Sequence, residues 1–124
     1  MKKKAFTIME LLIALAIMAI MAAIVVSVYR GYVRKAARSA LQTDTRNCIT
    51  CVSAELARIA LTGGRPDFDN CTSRISRYTQ SCEVDPLEGE LYQCTCQGRG
   101  IIAGSVCILN TESTSFDNGS VNCE

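Results

Sequence analysis

A chain of 124 residues with 13 basic and 12 acidic side chains, no histidine and a formal charge of +1 has room for one soluble domain and lacks the basic excess of a nucleic-acid binder. The missing histidine removes the commonest general base, and no glycine-rich phosphate loop or nucleophile elbow occurs, so the sequence argues against catalysis and offers no catalytic residue. Eight cysteines in so short a chain point to a disulfide framework in an oxidising compartment.

The first element is a helix of membrane length. Lys2, Lys3 and Lys4 precede Ala5-Phe6-Thr7-Ile8-Met9-Glu10, and an apolar run from Leu11 to Val28 follows, interrupted only by Ser27. At about 1.5 Å per residue the run spans roughly 27 Å, close to a hydrocarbon core of about 30 Å. It exceeds the usual h-region of a secretory signal and has no small-x-small site at its end. The leading lysines place the N-terminus in the cytoplasm and everything after Tyr29 outside. Glu10 stands at the mouth of this helix. A charge deep in a bilayer costs about 2.5 to 3.5 kcal/mol, so this acid is a functional candidate by default.

The lysine-rich leader, the small residue Ala5, then Phe6, Thr7, Glu10 and the long apolar helix resemble the class III leader of type IV pilins and the related pseudopilins. The resemblance covers the first quarter of the chain. It implies cleavage by a prepilin peptidase between Ala5 and Phe6, N-methylation of Phe6, and assembly in which Glu10 pairs with the amine of Phe6 inside a bundle of apolar helices. The implied partners are that peptidase, the inner-membrane assembly machinery and other pilin subunits, with the inner membrane as host before assembly and a pilus or periplasmic pseudopilus as destination. Two departures stand out. Ala5 occupies a position that is usually Gly in the family, and the proline that many filament-forming pilins carry in the apolar helix is absent, with Ser27 near its place. The second departure predicts a straighter helix and keeps a minor pilin or a type II secretion pseudopilin open beside a major pilin. A membrane-tethered, disulfide-rich binding domain that does not polymerise is the alternative from another class.

Beyond the span, Arg30, Arg34 and Arg38 recur at four-residue intervals with Lys35 beside them, a stripe suited to anionic headgroups or to acidic loops of neighbouring subunits. Loss of the three leader lysines leaves 10 basic against 12 acidic residues, a side-chain balance of −2. Val33, Ala37, Leu41, Cys48, Val52 and Ile59 form an apolar stripe broken by Asp44, which carries the helix to about Leu61, where Gly63-Gly64 and then Pro66 stop it.

The remainder reads as a small sheet. Cys71 to Cys82 is expected to be a loop or short helix. Glu90–Gln97 and Gly100–Leu109 are predicted strands of an antiparallel hairpin turning at Gln97-Gly98-Arg99-Gly100. The polar tail from Asn110 turns at Asn118-Gly119 and holds a last short strand ending near Cys123. The predicted class is α+β, a long helix packed on a small antiparallel sheet. Its divisions are a leader (1–5), a membrane and assembly helix (6–29), an amphipathic helix (30–62) and a disulfide-stapled β-domain (63–124).

The cysteines at 48, 51, 71, 82, 94, 96, 107 and 123 permit on the order of a hundred pairings. Cys48 and Cys51 lie near one helix face, and Cys94 and Cys96 on one strand face, so bridges from helix to sheet and one to the tail through Cys123 are expected. The spacing Cys48-Ile49-Thr50-Cys51 suits a redox motif but lacks its βαβ context. A zinc site from Cys48/Cys51 and Cys94/Cys96 has irregular spacing, and no cofactor or metal is assigned. Asp67-Phe68-Asp69-Asn70 could supply oxygen ligands to calcium, as C-terminal loops of some pseudopilins do, but reads more simply as a turn. Asn70-Cys71-Thr72 and Asn118-Gly119-Ser120 match the glycosylation pattern.

Overall fold

The computed structural model describes residues 6–89, 91–114 and 121–124. Helix α1 (Ile8–Thr62) is followed by a short helix α2 (Asp69–Ser73) and by strands β1 (Thr79–Pro86), β2 (Tyr92–Gly98), β3 (Val106–Asn110) and β4 (Asn122–Cys123). Single 3₁₀ turns occupy Gly100–Ile102 and Thr111–Thr114. The chain divides into two compact units, residues 1–33 and 34–124.

In the first unit α1 is Leu, Ile, Met, Ala and Val from Leu11 to Val28 except for Ser27, and it holds no proline to interrupt the helix. Every residue from Phe6 to Tyr32 is exposed, and from Leu11 to Val28 the helix is apolar on every side except at Ser27. It is long and apolar enough to cross a membrane. Ser27 does not break it, because its hydroxyl donates to the Ile24 carbonyl at 2.8 Å and no polar group is left without a partner in an apolar setting.

In the second unit α1 becomes amphipathic. Ala37, Leu41, Asp44, Thr45, Cys48, Ile49 and Val52 are buried on one face, the three-and-four spacing of a helix laid on a core. Gly63 and Gly64, with φ of 69° and 126°, end it, and the Gly63 amide donates back to the Ile59 carbonyl at 2.8 Å.

Opposite this face lies an antiparallel sheet of three full strands, with the two-residue β4 completing the order β1-β2-β3-β4. Its core-facing positions are largely cysteines: Cys82, Cys94, Cys96 and Cys107 are all buried, joined by Ile102, Leu109 and Val121. Cys82 faces Cys96, Cys96 faces Cys107 and Cys107 faces Cys123, one row across all four strands. Within it Cys82–Cys96 and Cys107–Cys123 are bridged, each with Cα atoms 4.1 Å apart, a spacing that directly opposed residues of neighbouring antiparallel strands supply. Two further bridges, Cys48–Cys94 and Cys51–Cys71, tie α1 to β2 and α1 to α2. Sulfur thus stands where a larger domain would place leucine and phenylalanine.

The structure corrects three expectations. The segment Cys71–Cys82 is more than a loop or short helix: after α2 it enters β1, which carries Cys82. The predicted strand Gly100–Leu109 begins only at Val106, because residues 100–102 form a 3₁₀ turn that folds Ile102 into the core over Gly98. A Cβ at Gly98 would collide with the Ile102 carbonyl oxygen, so glycine is required there by close approach. The hairpin is antiparallel, with Gln97 opposite Val106, but its connection is longer than a tight turn. The strand expected from Glu90 starts at Tyr92 and runs to Gly98; Glu90 lies outside the described residues, as do Asn118, Gly119 and Ser120. β4 at Asn122–Cys123 supplies the short terminal strand.

Candidate functional site

Two features of the chain carry chemistry: the start of α1 and the cysteine frame. At the start, Phe6 is exposed and Thr7 precedes the first helical residue, Ile8. The Glu10 amide donates to the Thr7 hydroxyl oxygen at 3.3 Å. The Thr7 amide donates to Glu10 Oε2 at 3.4 Å, and the Thr7 hydroxyl lies 3.3 Å from the same oxygen. This reciprocal pair is a capping box, in which the N-cap hydroxyl and the third-residue carboxylate each satisfy an amide that the helix leaves free. Glu10 therefore fixes where the helix begins and also sets a negative charge at its N-terminus, where the helix dipole favours one. The Thr7-Ile8-Met9-Glu10 spacing carried this signal in the sequence, and reasoning from the membrane cost of Glu10 alone overlooked it. Ala5, on the other side of the predicted scissile bond, lies outside the described residues, as do Lys2, Lys3 and Lys4.

The cysteine frame commits all eight sulfurs to bridges. Cys48 and Cys51, three positions apart on α1, leave for different partners, Cys94 and Cys71, so they do not form a redox pair with each other. Cys94 and Cys96 also part, to Cys48 and Cys82. Among the described residues no group of three or more His, Cys, Asp or Glu side chains is arranged to hold a metal ion. Asp67 Oδ1 accepts the Asp69 amide at 3.1 Å, the Asx arrangement of a turn.

Asp44, which interrupts the apolar stripe of α1, is buried. Its Oδ2 accepts the Ser76 amide at 2.9 Å and the hydroxyl of the buried Thr79, holding the loop that enters β1 against the helix. Further along, Glu55 and Arg58 form a two-point ion pair with contacts of 2.9 and 2.6 Å, and the Asp67 amide donates to Glu55 Oε1 at 3.4 Å. Hydrogen bonding to the Arg58 guanidinium holds the Glu55 carboxyl below its ordinary range, and the carboxylate raises Arg58 in return.

Residues 1–26 match the family model described as the prokaryotic N-terminal methylation motif. No curated protein and no solved structure gives a significant match to the chain. The matched segment contains the lysine leader, Phe6, the Thr7–Glu10 capping box and most of the unpartnered apolar helix. Its apolar helix fits a membrane-anchored precursor. The chain thus carries, over residues 1–26, the class III prepilin leader of type IV pilins and pseudopilins.

Proposed function

We propose that the protein is a structural subunit of a type IV pilus or a related filament. In this reading it enters the inner membrane with its leader in the cytoplasm, a prepilin peptidase cuts between Ala5 and Phe6, and Phe6 is N-methylated. The apolar half of α1 then leaves the lipid for a bundle of like helices delivered by the inner-membrane assembly machinery. One coincidence carries the reading: the methylation motif leads straight into a helix whose every residue from Ile8 to Tyr32 is exposed. An apolar surface of that extent on a single chain calls for a membrane or a partner, and a filament core supplies the partner after the membrane is left.

Glu10 has a specific part in this assembly. Buried in a helix bundle, its carboxylate needs a partner, and the methylated amine of Phe6, its own or a neighbour's, is the cation that cleavage creates. The pairing favours one vertical register, as a single buried polar group does in coiled coils. The protein works as a building element and not as a catalyst. Its disulfide-stapled unit suits life outside the cytoplasm.

The test is to produce the full chain in matched bacterial strains with and without a prepilin peptidase and to weigh it. The expected result is a peptidase-dependent loss of residues 1–5 with one added methyl group on Phe6, blocked by Ala5→Arg. A chain that begins at Met1 in both strains would contradict the proposal and leave a membrane-tethered domain.

A further inference from the structure

Two clusters of exposed like charge stand apart in the second compact unit, among other exposed charges such as Arg46, Arg74, Arg77 and Arg99. Where α1 enters the unit, Arg34, Lys35 and Arg38 are exposed and make no ion pair among the described residues. The acid near them is Glu124, which shares a groove with Arg38 and Gln42. The second cluster is acidic. Glu83, Asp85 and Glu88 at the β1–β2 hairpin are exposed and likewise unpaired among the described residues. With Phe68, Asp69 and Val84, the first two line an open groove of about 410 Å³. Arg65 and Arg74 are exposed cations on that side, and Arg58 is committed to Glu55.

The two clusters stand apart along the helix. Successive ties fix the levels: Asp44 to Ser76, Cys48 to Cys94, Cys51 to Cys71 and Glu55 to Asp67. Phe68 packs edge-on against Tyr92 with ring centres 5.1 Å apart, and Tyr92 is paired with Pro86 at the hairpin end. Val84 lies opposite Cys94, which is bridged to Cys48, so the acidic groove spans the levels from Cys48 to Glu55. From Arg38 to Cys48 the helix rises by about 15 Å and from Lys35 to Glu55 by about 30 Å, distances that the basic side chains of the same chain do not bridge.

We propose that the Arg34, Lys35 and Arg38 face docks on the Asp69, Glu83 and Asp85 groove of a second copy of this chain. Complementary charge selects that occupant. Contact between two different patches is heterologous and does not close on itself, so repetition gives an open assembly of the kind a filament needs. Phe68 and Val84 give the groove an apolar wall against which the long stems of Arg and Lys can pack, and the charges set the register. The proposal rests on the subunit reading above and specifies which surfaces meet.

Lys35 is the one lysine beyond the leader, which makes the contact directly readable. A carbodiimide joins an amine to a carboxylate in direct contact without a spacer. Treatment of the full-length processed protein, both in membranes and in sheared surface filaments, is expected to give covalent dimers and longer ladders. Peptide mass spectrometry is expected to place the link between Lys35 and Asp69, Glu83, Asp85 or Glu88. At about 1 M salt, where the screening length falls to about 3 Å, the link is expected to disappear. Arg34→Glu combined with Arg38→Glu, both at exposed positions, is expected to abolish it with all four disulfides intact by mass. Assembled protein that gives no Lys35 link, or one only to other carboxylates, would overturn the proposal and leave the filament reading standing. The expected link in membranes from cells that make no filaments would keep the contact and remove the filament.

Discussion

Glu10 and Thr7 exchange hydrogen bonds, so deleting the Glu10 side chain changes helix capping and charge together. Two substitutions separate these effects. Glu10→Gln keeps an acceptor for the Thr7 amide and removes the charge; under the proposed function it is expected to insert and be processed normally yet give no filaments. Thr7→Ala keeps the charge and loses the cap, at a cost of about 1 kcal/mol, and is expected to assemble; filament yield and N-terminal mass of both variants check this. At Asp44, Asp44→Ala would strand the Ser76 amide and the buried Thr79 hydroxyl, a loss of about 2 to 4 kcal/mol measurable by chemical denaturation of the full chain in detergent. Glu55 predicts the acid behaviour. Its folded-state value lies below the ordinary 4.5, so its contribution is present above that value and is lost as pH falls through the folded one. Glu55→Gln is expected to flatten this part of the acid limb in the same denaturation measurement. Glu10 was legible in the sequence because an acid beside an apolar run stands out. Asp44 read as a break in a stripe, since its partners lie 32 and 35 positions away and nothing local announces them.

Helix α1 was legible at both ends because its punctuation is local, a lysine leader before the apolar run and Gly63-Gly64 with Pro66 after the stripe, whereas the Thr7 cap that fixes its first residue went unread. Strand β1 was not. Its exposed positions are Gln80, Glu83, Asp85 and Pro86, and its buried ones are Thr79 and Cys82, so a search for alternating large apolar residues finds no strand. The same polar residues, with the irregularity in pairing between Thr79 and Ser81, protect an edge strand from unwanted pairing. Cysteine in the inward rows of the sheet has the same effect on legibility, because the core is built by bonds that a hydrophobic pattern does not score. The bridges should differ in weight. Cys48–Cys94 closes a separation of 46 residues and Cys82–Cys96 one of 14 between strands already paired. On chain entropy alone the losses are about 4 and about 3 kcal/mol. The double variant Cys48→Ala with Cys94→Ala is therefore expected to shift the denaturation midpoint further than Cys82→Ala with Cys96→Ala.

At the scale of the whole molecule, one chain joins an exposed apolar helix to a small unit held by four disulfides. The first part needs lipid or a bundle, and the second needs an oxidising exterior to form its bridges. A processed subunit that passes from membrane to filament meets both needs, and the methylation motif at residues 1–26 supplies the processing signal. The membrane helix and the leader were plain in the sequence. The acidic groove set apart from the basic helix face was not, because it depends on strand order and on which side chains the fold turns outward. The most direct test is intact and peptide mass spectrometry of the protein recovered from sheared surface filaments, before and after reduction. The account predicts a chain that begins at N-methylated Phe6 and gains about eight daltons on reduction, one hydrogen (a proton and an electron from the reductant) for each half-cystine released. A chain that begins at Met1 and occurs only in the membrane fraction would contradict it.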